Sequence, residues 1–568
     1  ATQRWPLMFR PQLRLLKALS GCHTSQNQSS ASAFQCRAAT TSAQFVLSYF
    51  GKLKTIASQL PLQQAVGNAY EVIETDDASV VYRLVRPLPI FGTRAILPVG
   101  SIGRVVSEAG QTPVTVIWEL ERPFSGWRLL RDVLASFVSM LDTLGENSNP
   151  DESNVFAKAK ESGPVTFGEL TPENSEQEQV AAVIDSLELF SALLSSGQSV
   201  ALPLLKHLHG HDLEMEEEME TENDVAPGLA VIVMALLNKS LASARIDTRL
   251  VSAAFTVLGQ LLEVTPSRLW VALRPSNVLI GSTGLLSLRR GDSGIQSALL
   301  AQETQLGEYH ATLALLDFQT ALFLEAQQSQ FSSPSSLTEV KGWVVTRALT
   351  WIVEFVWSDC LNWRYRNPDQ KMEILQKCIR LFNAMLSDRA LRQPASPLAD
   401  IAQTLERAFI TRPSTTTLAP LAAILASSTS LVQEGARGES SQLAQLAPSV
   451  LRATYTFCAR LVQRRRELNA DTAPPQKPAV GPVEALVFDH TFVTQHLAKN
   501  GGRDLPKVQI AAQLFDSIIE LQSTEAASLI TLATCSAADV AAQLGRPSPA
   551  LIGSLGTLPE IDSRFAAV

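Results

Sequence analysis

Aromatic residues make up only 6% of this 568-residue sequence, and charged residues only 18%. A chain with 46% hydrophobic residues, so few rings and so little charge expects much buried helix surface, packed through aliphatic side chains. The six cysteines, Cys22, Cys36, Cys360, Cys378, Cys458 and Cys535, never form a C-x-x-C pair. That excludes the usual structural zinc spacings and points to a reducing compartment. No apolar run is long enough for a bilayer: the longest, Ala226 to Leu237, falls well short of the roughly 20 residues needed and reads as a buried helix. The opening residues scatter arginines through their apolar stretch, so they are no secretory signal. Starting on alanine, the sequence reads as a piece of a longer chain. Phosphate-loop, nucleophile-elbow, H-E-x-x-H and calcium-loop motifs are all absent, which argues against the commonest enzyme classes.

Negative charge is present but concentrated. Asp212 to Asp224 carries eight acids and no base, and without it acids and bases are equal in number. The body therefore offers no basic footprint for nucleic acid, and the run itself is expected to be a solvated, disordered loop at about 210–225.

Helical spacing dominates what remains. Leu13, Leu16 and Leu19 share a face, as do Phe45, Tyr49 and Leu53. Leu130, Val133, Leu134, Phe137 and Leu141 form another stripe. The clearest helix starts at Asn367, a cap, with Pro368 in the first turn and Asp369 near the positive end. Its buried stripe is Leu375, Cys378, Ile379, Phe382 and Leu386. No fixed repeat length appears, so the array is expected to be irregular, of HEAT or armadillo type.

One island breaks the pattern. Tyr82 and Leu84 alternate with Val81 and Arg83, and Ile102, Val105 and Val106 follow a glycine turn at Gly100. Val114, Val116, Trp118 and Leu120 then line one face of a strand. Several short strands within about fifty residues suit a small barrel, since a lone hairpin is marginal in water.

Few residues are candidates for chemistry. His207, His209 and His211, with Asp212 and Glu214, have a spacing that could hold a metal, but they lie where a helix gives way to the acidic run and read as a polar helix end. Arg464, Arg465 and Arg466 read as a solvated helix terminus. Trp343, Trp351, Trp357 and Trp363 read as core. No catalytic, cofactor-binding or metal-binding residue is assigned, no cofactor is expected, and the partner-binding residues are not identifiable from the sequence.

A helical array with a small barrel let into it, followed by Tyr309, Thr312, Leu316 and Phe318 and then by Phe355, Trp363, Arg364 and Tyr365, resembles the large inner-ring scaffold nucleoporins of the nuclear pore complex. The likeness is greatest to the paralogue with an SH3-like domain inserted in its N-terminal α-solenoid. It implies a helical segment over 1–67, an SH3-like barrel over 68–125 and a solenoid over 126–568. It also implies a non-enzymatic scaffold at the nuclear envelope that binds linker and FG-repeat nucleoporins, with no small-molecule substrate, no direct nucleic-acid contact and no transmembrane segment. A soluble transport receptor or cargo adaptor of HEAT-repeat type would share the architecture. Of the barrel's aromatic residues, Tyr82, Phe91, Trp118, Phe124 and Trp127 are the candidates for a proline-peptide groove. Trp118 shares a strand face with Val114 and Val116, so the barrel is expected to keep the fold without the groove.

Overall fold

A computed structural model describes residues 9–20, 33–60, 70–73, 81–89, 96–106, 114–146, 176–209, 228–242, 246–273, 295–329, 335–387, 399–427, 442–472 and 483. The described residues are mainly helical, with a five-stranded antiparallel sheet and a two-stranded hairpin, and the chain divides into two compact units, Ala1–Val278 and Leu279–Val568.

In the first unit, α1 (Phe9–Leu19) buries Leu13 and Leu16, while Leu19 at its end is exposed. Arg10, Arg14 and Lys17 fall on one face of α1 because they are spaced by three and four. They pair with α4 (Glu176–Leu194): Arg10 and Arg14 reach Asp185 at 2.8 and 3.2 Å, and Lys17 reaches Glu188 at 2.5 Å.

Helix α2 (Ala33–Gly51) buries Ala43, Val46, Leu47 and Phe50. The face expected from Phe45, Tyr49 and Leu53 is not the buried one, for Phe45 and Tyr49 are 65% and 41% exposed. The helix stops at Gly51, and Leu53–Leu60 forms strand β1, so the helical reading of that stretch is corrected. The reason is non-local. Residues 53–60 pair along their length with a strand sixty residues later, and that ladder overrides local spacing.

The sheet adds β2 (Tyr70–Ile73), β3 (Val81–Leu84), β6 (Ile102–Val105) and β7 (Val114–Phe124), in the order β1-β7-β6-β3-β2, all antiparallel. A separate hairpin joins β4 (Leu88–Pro89) to β5 (Ile96–Leu97). Trp118 sits opposite Ile56 on one neighbour and Gly103 on the other, fully buried. A Cβ at Gly103 would lie 2.5 Å from the Trp118 ring, so only glycine lets β6 cross there. The indole Nε1 donates to Ser58 Oγ at 2.7 Å. Ile102 and Val106, by contrast, are exposed.

Helix α3 (Gly126–Glu146) leaves the sheet two residues after β7 and buries Leu130, Val133, Leu134 and Phe137 of its expected stripe, while Leu141 is half-buried. After α4 come α5 (Gln198–His209), α6 (Leu229–Ala242), α7 (Thr248–Val264) and α8 (Pro266–Leu273). Asp247 caps α7 by accepting from Arg249 N and Leu250 N at 2.9 and 3.0 Å. Long cations tie helices through backbone carbonyls: Arg131 donates to Leu208 O at 2.7 Å and Lys239 to Val138 O at 3.1 Å.

The second unit contains α9 (Ile295–Leu306), α10 (His310–Gln328), α11 (Ser335–Trp351), α12 (Pro368–Ser387), α13 (Ala399–Glu406), α14 (Thr415–Ala426) and α15 (Gln442–Thr472). Two of these helices widen into π turns, α11 through Ile352–Trp357 and α13 through Arg407–Thr411. Asn367 caps α12 by accepting from Asp369 N at 3.0 Å, and all five residues of its expected stripe are buried. The arginine cluster at 464–466 does not end a helix, because α15 runs on to Thr472. Arg464 is spent on Glu406 at 2.6 Å and Glu467 at 3.0 Å instead of on solvent.

Candidate functional site

The Tyr309 and Trp363 motifs, separate in sequence, meet in the second unit. Gly307 ends α9 with φ +71°, a left-handed conformation that glycine adopts without penalty. The chain is also crowded there: a Cβ would lie 3.0 Å from Arg366 N, which donates to Gly307 O at 2.8 Å.

Two residues on, Tyr309 is fully buried and stacks on Trp363, centroids 4.9 Å apart and planes 13° apart. Its hydroxyl donates to Arg364 O at 2.9 Å, and its backbone N donates to Gln370 Oε1 on α12 at 3.1 Å. Tyr365 packs against the same ring and donates from its hydroxyl to Cys360 O at 2.8 Å. The α9–α10 turn, the segment 360–366 and the first turn of α12 are thereby fastened at one point.

Glu303, from α9, closes the knot. It is fully buried, and its carboxyl accepts from Ala311 N at 2.8 Å, Thr312 N at 3.4 Å and Thr312 Oγ1 at 2.5 Å. These are orphan donors at the start of α10, which Tyr309 itself does not cap. Burial pushes the Glu303 carboxyl up to about 7, outweighing those hydrogen bonds. Sequence reading named Tyr309 and Thr312 but missed Glu303, Gly307 and Gln370. The glycine two residues before Tyr309 was the available signal.

A second, mainly apolar aromatic junction ties α3 to α2 in the first unit. Trp127, fully buried at the head of α3, donates from Nε1 to Leu47 O at 3.0 Å and meets Phe50 edge-on at 4.7 Å. Gly126 lies under Phe50, where a Cβ would come within 2.5 Å of the ring. Trp118 and Trp127 are therefore core, and neither lines a peptide groove. Tyr82 and Phe124 are half-buried, and Phe91 lies outside the described residues.

The four tryptophans divide. Trp351 and Trp357 are core, Trp363 is half-buried in the Tyr309 knot, and Trp343 is 55% exposed, correcting its core reading. Trp357 joins Phe382, Phe409 and Phe457 in one aromatic cluster and donates from Nε1 to Thr417 O at 2.8 Å.

Chemistry has little to work with here. Burial raises the thiols of Cys360 and Cys458 to about 12 and that of Cys378 well above its usual value, which keeps them protonated and poorly nucleophilic. His207 sits on α5 with its ring against Gly51. The side chain of His209, together with His211 and the run Asp212–Asp224, lies outside the described residues. Among the described residues no group of three or more His, Cys, Asp or Glu side chains could hold a metal ion, and no helix is long and apolar enough to cross a membrane.

What the geometry offers is fastening: buried rings whose polar atoms are spent on backbone carbonyls of neighbouring elements. No curated protein matches the chain. Residues 164–523, well over half of it, match the family described as Nucleoporin Nup188, N-terminal subdomain III. The match takes in both the Tyr309 knot and the aromatic cluster around Trp357. The chain belongs to that family, and is a scaffold nucleoporin of the nuclear pore complex, structural and non-enzymatic.

Proposed function

We propose that this chain acts by shape in the inner ring of the nuclear pore complex, bridging linker and FG-repeat nucleoporins and so supporting nucleocytoplasmic transport. The observation that carries this reading is where the polar side chains go. Among the described residues, the conspicuous ones (Glu303, Tyr309, Trp357, Arg131, Arg464) are consumed in ties between elements of the same unit, and none converges on a cleft. A stack of helices fastened in this way presents extended surfaces to partners instead of a pocket. The sheet is read as an SH3-like barrel let into the helical array. Its role is architectural, because the two tryptophans that could have gripped a proline peptide fill its core and its junction with α3.

The test is residence. Tagged full-length protein, photobleached at the nuclear envelope, is expected to recover only over hours, and affinity capture should bring down inner-ring nucleoporins. Recovery within seconds, with transport cargo as the main captured species, would establish the mobile-receptor reading instead.

A further inference from the structure

Glu303 presents an unusual balance. Its carboxyl is inside the protein, and its contacts are Ala311 N, Thr312 N and Thr312 Oγ1, all at the start of α10. Among the described residues, no cation pairs with it. Charged groups of the same turn are engaged with each other: Glu308 pairs with Arg366 at 3.1 Å and lies 3.6 Å from His310. Between α10 and α12, Lys377 pairs with Asp317 at 2.6 Å. From α12 the knot receives the neutral amide of Gln370. The titratable side chain that senses the carboxyl is Tyr309, whose hydroxyl is raised by burial, lowered by Thr304 and raised again by the Glu303 charge.

Both protonation states fit the same hydrogen bonds. Ionised, Glu303 accepts from Thr312 Oγ1. Protonated, it donates across that 2.5 Å contact, while its other oxygen still accepts from Ala311 N at 2.8 Å. What differs is the burial of a negative charge, which the helix N-terminus offsets only in part.

We propose that Glu303 is a proton-operated latch on the α9–α10 turn, holding the knot around Tyr309 more firmly when protonated than when ionised.

The direction follows from the folded carboxyl titrating at about 7 and the opened one at its ordinary value of 4.5. The closed turn binds the extra proton, so its stability is full below 4.5, falls as pH rises, and levels off above about 7.

Hydrogen exchange of the full chain between pH 5.5 and 8.5, corrected for intrinsic rates, tests this in peptides covering α9 and the first turn of α10. Protection should fall on the order of 30-fold between pH 5.5 and 8 and then flatten. In Glu303→Gln, which carries no charge at any pH, it should stay level, and peptides from α7 serve as the reference. Should that variant not fold, Thr312→Val removes one donor to the anion and should move the fall to higher pH. A wild-type protein whose protection is level across this range, a Glu303→Gln profile that falls like the wild type, or a Thr312→Val profile with an unmoved fall would each overturn the proposal.

Discussion

The two units solve one problem in two ways. Each must lock a change of chain direction against a buried aromatic residue. In the first unit the lock is almost wholly apolar: Trp118 and Trp127 are enclosed by Gly103, Ile56 and Phe50, and each indole spends its single donor on one neighbour. In the second unit the lock is polar, a buried carboxyl and a tyrosine hydroxyl wired to backbone groups around Gly307. An apolar lock has no group that titrates, so it is indifferent to pH and depends on shape, since cores tolerate neither voids nor overpacking. A polar lock depends on every partner being present, because an orphaned buried group costs more than a satisfied one contributes.

Substitutions can break this contrast, and they separate by size. Trp118→Ala should do most harm, about 3–5 kcal/mol, by emptying the sheet core. Calorimetry should show the loss, and hydrogen exchange should confine it to the strands while α12 stays protected. Gly103→Ala keeps the indole but overfills the same place, at a cost of about 1–3 kcal/mol. Its signature is a changed near-ultraviolet dichroism of Trp118 with the helical signal intact. Gly307→Ala forces an L side chain into a left-handed conformation and should cost about 1–2 kcal/mol, read as lower protection of α9 and α10. Tyr309→Phe keeps the ring on Trp363 and removes only the bond to Arg364 O, so about 1 kcal/mol is expected in urea unfolding. A Tyr309→Phe loss as large as that of Trp118→Ala would erase the distinction between the two locks.

Much of the helical architecture could be read from spacing, because α3 and α12 have stripes that bury as a 3.6 period requires. The strand character of residues 114–120 and the burial of Trp118 were legible from alternation for the same reason. What spacing concealed was long-range. Strand β1 carries residues compatible with a helix and becomes a strand only through its pairing with β7. Exposed Phe45 and Tyr49 sit on a helical stripe, yet α2 turns its neighbours Val46 and Phe50 inward. Glu303 had no signature either. A glutamate inside a helical pattern reads as surface, and its burial depends on a turn that positions Ala311 and Thr312 over it. The arginines at 464–466 misled through composition: three adjacent cations resemble a terminus, while Glu406 and Glu467, far and near in sequence, supply the partners of Arg464.

The π turns at Ile352–Trp357 and Arg407–Thr411 have a consequence for how this protein can change. Each holds one residue more than an α turn would, and in the second the surplus is visible in a backbone bond that reaches five residues back, Arg412 N to Arg407 O at 3.0 Å. Each π turn closes its helix, so the extra residue turns the last side chains of that helix by about a hundred degrees around its axis. Trp357 and Phe409 sit within these shifted turns, which is how both come to the ring cluster shared with Phe382 and Phe457. Along these two stretches the count of residues, more than their identity, is what the fold has to conserve.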